Sequence, residues 1–135
     1  MKAILINVEK GEVSSVDYNG DFRTISKWIG GRCHLFTTVS GLYDNDDILY
    51  VDDNGLNNGT INGFIHKNYE SPLMGNALLL GTDISSGDSV DVETPLDSVQ
   101  NDIYKYTAMV GGKLYSFKDK PHPFLISVKD KHPFW

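Results

Sequence analysis

The sequence predicts an α+β domain built mostly from antiparallel sheet, with two short helices and a C-terminal β extension. Three observations lead there. Short apolar or β-branched runs recur along the chain, as in "KAILINV", "DILYV" and "ALLL". Gly, Asn and Asp punctuate these runs, and thirteen glycines supply turns. Two segments, about 22–29 and 95–103, carry a helical spacing or a helix start.

At 135 residues and 15.0 kDa the chain suits one domain. Residues 1–103 form its main α+β part, and 104–135 a hairpin-like β extension packed on it. A content of 40% hydrophobic and 22% charged residues is that of a globular protein, not a disordered one.

The elements follow in order. "KAILINV" is a strand ended by "EKGE", where Gly11 permits a tight turn, and "EVSSVDY" returns as its hairpin partner. In "GDFRTISKWIGG", Asp21 is an N-cap, Phe22, Ile25, Trp28 and Ile29 make one helical face, and Gly30 ends the helix. "CHLFTTV" and "DILYVDD" are strands, joined by the loop "SGLYDND". "TINGFIHK" is extended, with Gly63 suggesting a bulge. "PLMGNALLLGTD" contains Leu78–Leu79–Leu80, a run that reads as a strand buried on both faces. "GDSVDVET" is a short polar strand. In "TPLDSVQNDI", Thr94 is the expected N-cap, Pro95 the first helical residue and Asp97 the acid three positions after the cap. "IYKYTAMV", "GGKLYSFK" and "FLISV" are three strand-like runs of the extension, and "KDKPHPF" and "KDKHPFW" are two similar turns.

Charge is unevenly placed. The net charge is −6, yet residues 33–104 hold one basic residue, Lys67, against twelve acids, or −11. Residues 1–32 are +1 and residues 105–135 are +4. An acidic middle repels phosphates, which excludes direct nucleic-acid binding as the expected activity. A single cysteine, Cys33, excludes an internal disulfide framework and suits a reducing cytoplasm. The N-terminal apolar run is too short for a secretory segment, and no stretch approaches a membrane span, so a cytoplasmic protein is expected.

The richest stretch in chemistry is "DNDDILYVDDNGLNNG", residues 44–59. As a calcium loop it fails: with Gly55 at position 6, Tyr50 and Ile61 fall where the first ligand and the bidentate glutamate belong. It reads as turns at either end of a strand. Of the four histidines, His34 adjoins Cys33 in a strand and so points to the opposite face, His66 is alone, and His122 and His132 are ten residues apart without ligand spacing. No metal or other cofactor is expected. Cys33 lacks a base in its neighbourhood, "SSG" at 85–87 is a turn, and "GGK" at 111–113 lacks the P-loop pattern. A non-enzymatic protein is expected.

"MKAILINVEKGEVSSVDYNGDFRTISKWIG", "ILYVDDNGL", "SPLMGNALLLGTD" and "VETPLDSVQ", in this order over residues 1–103, resemble a family of small uncharacterised proteins of bacteriophage and plasmid genomes. Asn54 stands where that family usually has Glu, Met74 and Asn76 where it has Ala and Lys, and "TPLDSV" replaces "TTLEEV". The resemblance implies an accessory protein working in a bacterial cytoplasm. It also implies turn-capping roles for Asp52 and Asp83, and turn or close-packed positions for Gly55, Gly75 and Gly81.

Two functions are weighed on that basis. The first is binding, and inhibition, of a host protein that handles nucleic acid or serves defence, through an acidic surface of Asp44, Asp46, Asp47, Asp52 and Asp53. The second is a sponge that sequesters a nucleotide signal, with Tyr104, Tyr106, Tyr115, Lys113 and Trp135 as ligand-binding residues, because rings stack on bases and lysines meet phosphates. The C-terminal strands also offer a route to a homo-oligomer.

Overall fold

The computed structural model describes residues 1–29, 36–53, 62–108 and 114–115, the last two and 105–108 as backbone only. Its strands are β1 (Lys2–Asn7), β2 (Glu12–Asp17), β3 (Phe36–Val39), β4 (Ile48–Asp52), β5 (Asn62–His66), β6 (Leu73–Met74), β7 (Ala77–Thr82), β8 (Ser89–Val90), β9 (Ile103–Ala108) and β10 (Leu114–Tyr115). The helices are α1 (Ile25–Ile29), entered through a 3-10 turn at Phe22–Thr24, and α2 (Leu96–Asp102). Every described strand pair is antiparallel, and the fold is α+β. One sheet has the order β2-β1-β7-β4-β3, with β8 on the end of β7; the other has the order β10-β9-β5-β6.

The central strand β7 explains the Leu-rich run. Successive side chains of a strand point to opposite faces. Ala77 and Leu79 therefore join Ile4, Ile6, Leu49 and Phe64 between the two sheets, while Leu78 and Leu80 face Tyr18, Ile25 and Ile29 beneath α1. The strand is buried on both faces, as expected, but by a helix on one side and a second sheet on the other. A five-residue helix is marginal alone. Packing of Ile25 and Ile29, one turn apart, holds α1 in place. Asp21 caps the 3-10 turn, accepting from the Arg23 amide at 3.0 Å. Phe22 does not share the buried face: it opens the turn before the chain reaches the sheet and is 66% exposed.

Three further expectations change. "PLMGNALLLGTD" supplies two strands in different sheets, because Gly75 takes φ +89° and turns the chain between β6 and β7. Asn76 fastens that corner, its side-chain oxygen accepting from the Val8 amide at 2.9 Å. Thr94 is not the cap of α2. Pro95 occupies that position without a side-chain bond, since the Thr94 hydroxyl is held by Asp47. The boundary drawn at 103/104 falls inside β9, whose Ile103 is a core residue. Gly30, Cys33, His34, Gly55 and the two "KDK" turns lie outside the described residues.

Candidate functional site

Residues 40–47 connect β3 to β4 and touch both the second sheet and the start of α2. Asp47, 2% exposed, organises this junction. Its carboxylate accepts from the Glu93 amide (3.0 and 3.2 Å), the Thr94 amide (2.7 Å) and the Thr94 hydroxyl (2.5 Å). Asn45 completes the knot: its oxygen accepts from the Asp47 amide, and its nitrogen donates to the Thr94 hydroxyl at 3.0 Å. Backbone N–H groups and a hydroxyl thus stabilise a buried anion that would be costly unpaired. The segment pinned by Asp47 passes directly over β7. A Cβ on Gly81 would overlap the Asp91 carbonyl oxygen, which is why glycine follows the leucine run. Asp83 likewise fulfils its implied role, accepting from the Ser85 amide at 2.9 Å in the turn beyond β7.

The five aspartates expected to form one surface do not form one. Asp47 points inward for the reason just given. Asp44 and Asp46 are exposed at one end of β4, whereas half-buried Asp52 and exposed Asp53 lie at its other end, about 13 Å along the strand at the usual rise. The Asp47 knot ties the segment that carries Asp44 and Asp46 to the backbone at exposed Glu93, just before α2. Sequence periodicity carries no signal for this neighbour, because residues 45 and 94 meet only in the fold.

A second constellation lies where β5, α2 and β9 meet. Lys67, Ser98, Asn101, Asp102 and Tyr104 line an open cleft of about 480 Å³. Ser98 and Asp102 stand one helical turn apart, and Asn101 lies beside them, while Val99 and Gln100 face inward. The Lys67 ammonium, on a side chain 54% exposed, sits 2.9 Å from the carboxylate of Asp102, whose side chain is 10% exposed. Next to Lys67 in the chain, His66 is 1% exposed. Its Nε2 is 2.9 Å from the Tyr43 hydroxyl, and its Nδ1 accepts from the Asn68 amide at 3.1 Å, which assigns the ring proton to Nε2. The two rings meet edge to face at 5.1 Å.

Burial pushes the His66 pKa down to about 4, against an opposing pull from Asp102 and with a small push from Lys67. Burial, then Asp102 and Asp47, raise the Tyr43 hydroxyl above its ordinary value. At neutral pH both groups are therefore uncharged, and His66 is bonded at both nitrogens. They form a buried, mutually bonded pair, not an acid–base pair poised for proton transfer. Burial and Asp102 also raise Tyr104.

Of the residues expected to bind a nucleotide, Tyr104 lines this cleft, the side chains of Tyr106 and Tyr115 are not among those described, and Lys113 and Trp135 lie outside the described residues. Sequence reading did not pick out Tyr43 or Asp102, and it read Thr94 only as a helix cap and Lys67 only as a charge. The one signal available was Lys67 itself, the lone base in an acidic stretch. Among the described residues no group of three or more His, Cys, Asp or Glu side chains could hold a metal ion, and no helix is long and apolar enough to cross a membrane. No family model, curated protein or solved structure matches the chain.

Proposed function

We propose that this chain is a non-enzymatic accessory protein of a bacteriophage or mobile element. It binds a host macromolecule in the bacterial cytoplasm, a defence or nucleic-acid-handling protein, and inhibits it through an acidic surface. One observation carries this reading. Lys67 is the only lysine or arginine among residues 33–104, and its ammonium is already engaged by Asp102. The exposed Asp44, Asp46 and Glu93, held on a fixed junction, thus present negative charge that the same stretch of chain does not offset. Such a field steers and orients a basic partner.

The test is affinity capture of the tagged protein from a bacterial lysate at low and high salt, read by mass spectrometry. A host protein retained at low salt, released at high salt, and lost when Asp44, Asp46 and Glu93 are changed together to Asn, Asn and Gln is the expected result. Retention unchanged by those substitutions ends the reading.

A second reading, a nucleotide sponge that blocks host immune signalling, is favoured by the presence of Tyr104 and Lys67 in one cleft. Mass spectrometry of small molecules released on denaturation tests it. A protein purified empty from infected cells counts against it.

A further inference from the structure

We propose that the cleft between Lys67, Ser98, Asn101, Asp102 and Tyr104 is a receptor for a guanidinium group, so that an arginine side chain of the basic partner docks there. The inference rests on the acidic-surface reading and gives it a specific recognition point.

The chemistry of the lining selects the ligand. Asp102 supplies a carboxylate at the inner side of the cleft, withdrawn from water at 10% exposure. A planar guanidinium matches a carboxylate with two parallel N–H···O bonds, a fit that an ammonium cannot reproduce. Asn101 and Ser98, on the same side of α2, add a carbonyl and a hydroxyl oxygen as further acceptors. Tyr104 adds an aromatic ring, on which a guanidinium stacks. The existing occupant is exchangeable. Lys67 is more than half exposed at the end of a flexible stem, so it can leave Asp102 for water when a better-fitting cation arrives.

The alternative ligand, a phosphate-bearing nucleotide, fits less well. Among the described residues, the one cation lining the cleft is neutralised by Asp102, and exposed Asp97 sits one helical turn from Asn101. An anion would enter against that field.

The experiment is a titration of uniformly 15N-labelled full-length protein, followed by amide chemical shifts. The probes are N-acetyl-arginine amide, its neutral ureido isostere N-acetyl-citrulline amide, N-acetyl-lysine amide, free arginine and adenosine monophosphate. Expected are saturable shifts at Lys67, Ser98, Asn101, Asp102 and Tyr104 with the arginine amide, no saturation with the citrulline amide, and binding about tenfold weaker with the lysine amide. A preference for the capped over the free amino acid assigns the guanidinium to a polypeptide; the reverse assigns it to a small metabolite. Asp102→Asn is expected to weaken binding at least about tenfold. Asn101→Arg, on the solvent side of α2, keeps the fold and fills the cleft with its own guanidinium, so it should abolish the response. Equal responses to arginine and citrulline amides, a response that survives Asn101→Arg, or saturable shifts with adenosine monophosphate alone would overturn the proposal. Failure here leaves the acidic-surface reading intact, because that reading is judged by capture with the Asp44, Asp46 and Glu93 substitutions, none of which lines the cleft.

Discussion

Asp47 and Asp102 are both aspartates withdrawn from water, and the fold treats them in opposite ways. Asp47 is surrounded by donors that cannot leave: two backbone amides and a buried threonine hydroxyl. Asp102 is met by a lysine whose side chain is more than half in solvent. The first arrangement is a rivet, joining the turn before β4 to the start of α2. The second is a socket with a removable occupant. An anion held by peptide groups builds structure, and an anion held by a solvent-exposed side chain is available for recognition.

The largest expected effect breaks the rivet. In Asp47→Ala the amides of Glu93 and Thr94 and the Thr94 hydroxyl lose their acceptor inside the protein, which costs about 3 kcal/mol. Urea unfolding checks it through the midpoint at unchanged slope. A loss well under 1 kcal/mol would mean that water reaches this junction and that the two aspartates do not differ in kind.

A slightly smaller effect comes from the segment that the rivet pins. In Gly81→Ala the new Cβ meets the Asp91 carbonyl oxygen, which is backbone and cannot swing aside. The crossing segment must lift from β7, at a cost of about 2 kcal/mol. If Asp47 and Gly81 act on one junction, the double variant costs less than the two single losses added together.

These two sites show where sequence reading reached and where it stopped. β1, β2, α1 and β7 were legible because each is local: alternation, a cap and an apolar stripe lie within a few residues. The double-sided burial of Leu78 to Leu80 was legible for the same reason. The Thr94 cap failed because its hydroxyl found Asp47, 47 residues away in sequence, before it could serve α2. The five-aspartate surface failed because strand geometry separates Asp46 from Asp53, and because an aspartate in a turn looks the same in sequence whether it faces water or buried amides. His66 was seen as a lone histidine. Nothing in "FIHK" discloses that Tyr43 and Asn68 satisfy it.

The buried histidine next to Lys67 gives the next prediction. The folded-state pKa of His66 is near 4, below its ordinary value of 6.5, so the unfolded chain binds the extra proton first. Stability from this residue is fully present above pH 6.5 and declines as pH falls toward 4. At pH 5 the loss is about 2 kcal/mol relative to pH 7, from the linkage relation. The difference in urea midpoint between pH 7 and pH 5 should shrink in His66→Phe, even though that variant is less stable at both. An unchanged difference would place the acid sensitivity elsewhere.

The smallest effect is the one that decides the comparison. Lys67→Met removes the ammonium from Asp102 while keeping much of the aliphatic stem. If the cleft is dry, the abandoned carboxylate is a buried unpaired charge and the loss reaches about 3 kcal/mol, as large as for Asp47→Ala. If water enters, as an open cleft and a half-exposed lysine imply, solvent replaces the lysine and the loss stays below about 1 kcal/mol. The expected result is the small one, smaller still at high salt, where the original pair is itself screened. The same variant should bind N-acetyl-arginine amide more tightly, because the guanidinium no longer competes with the resident ammonium. A large stability loss without a gain in binding would make Lys67–Asp102 a second rivet, and the socket would disappear with it.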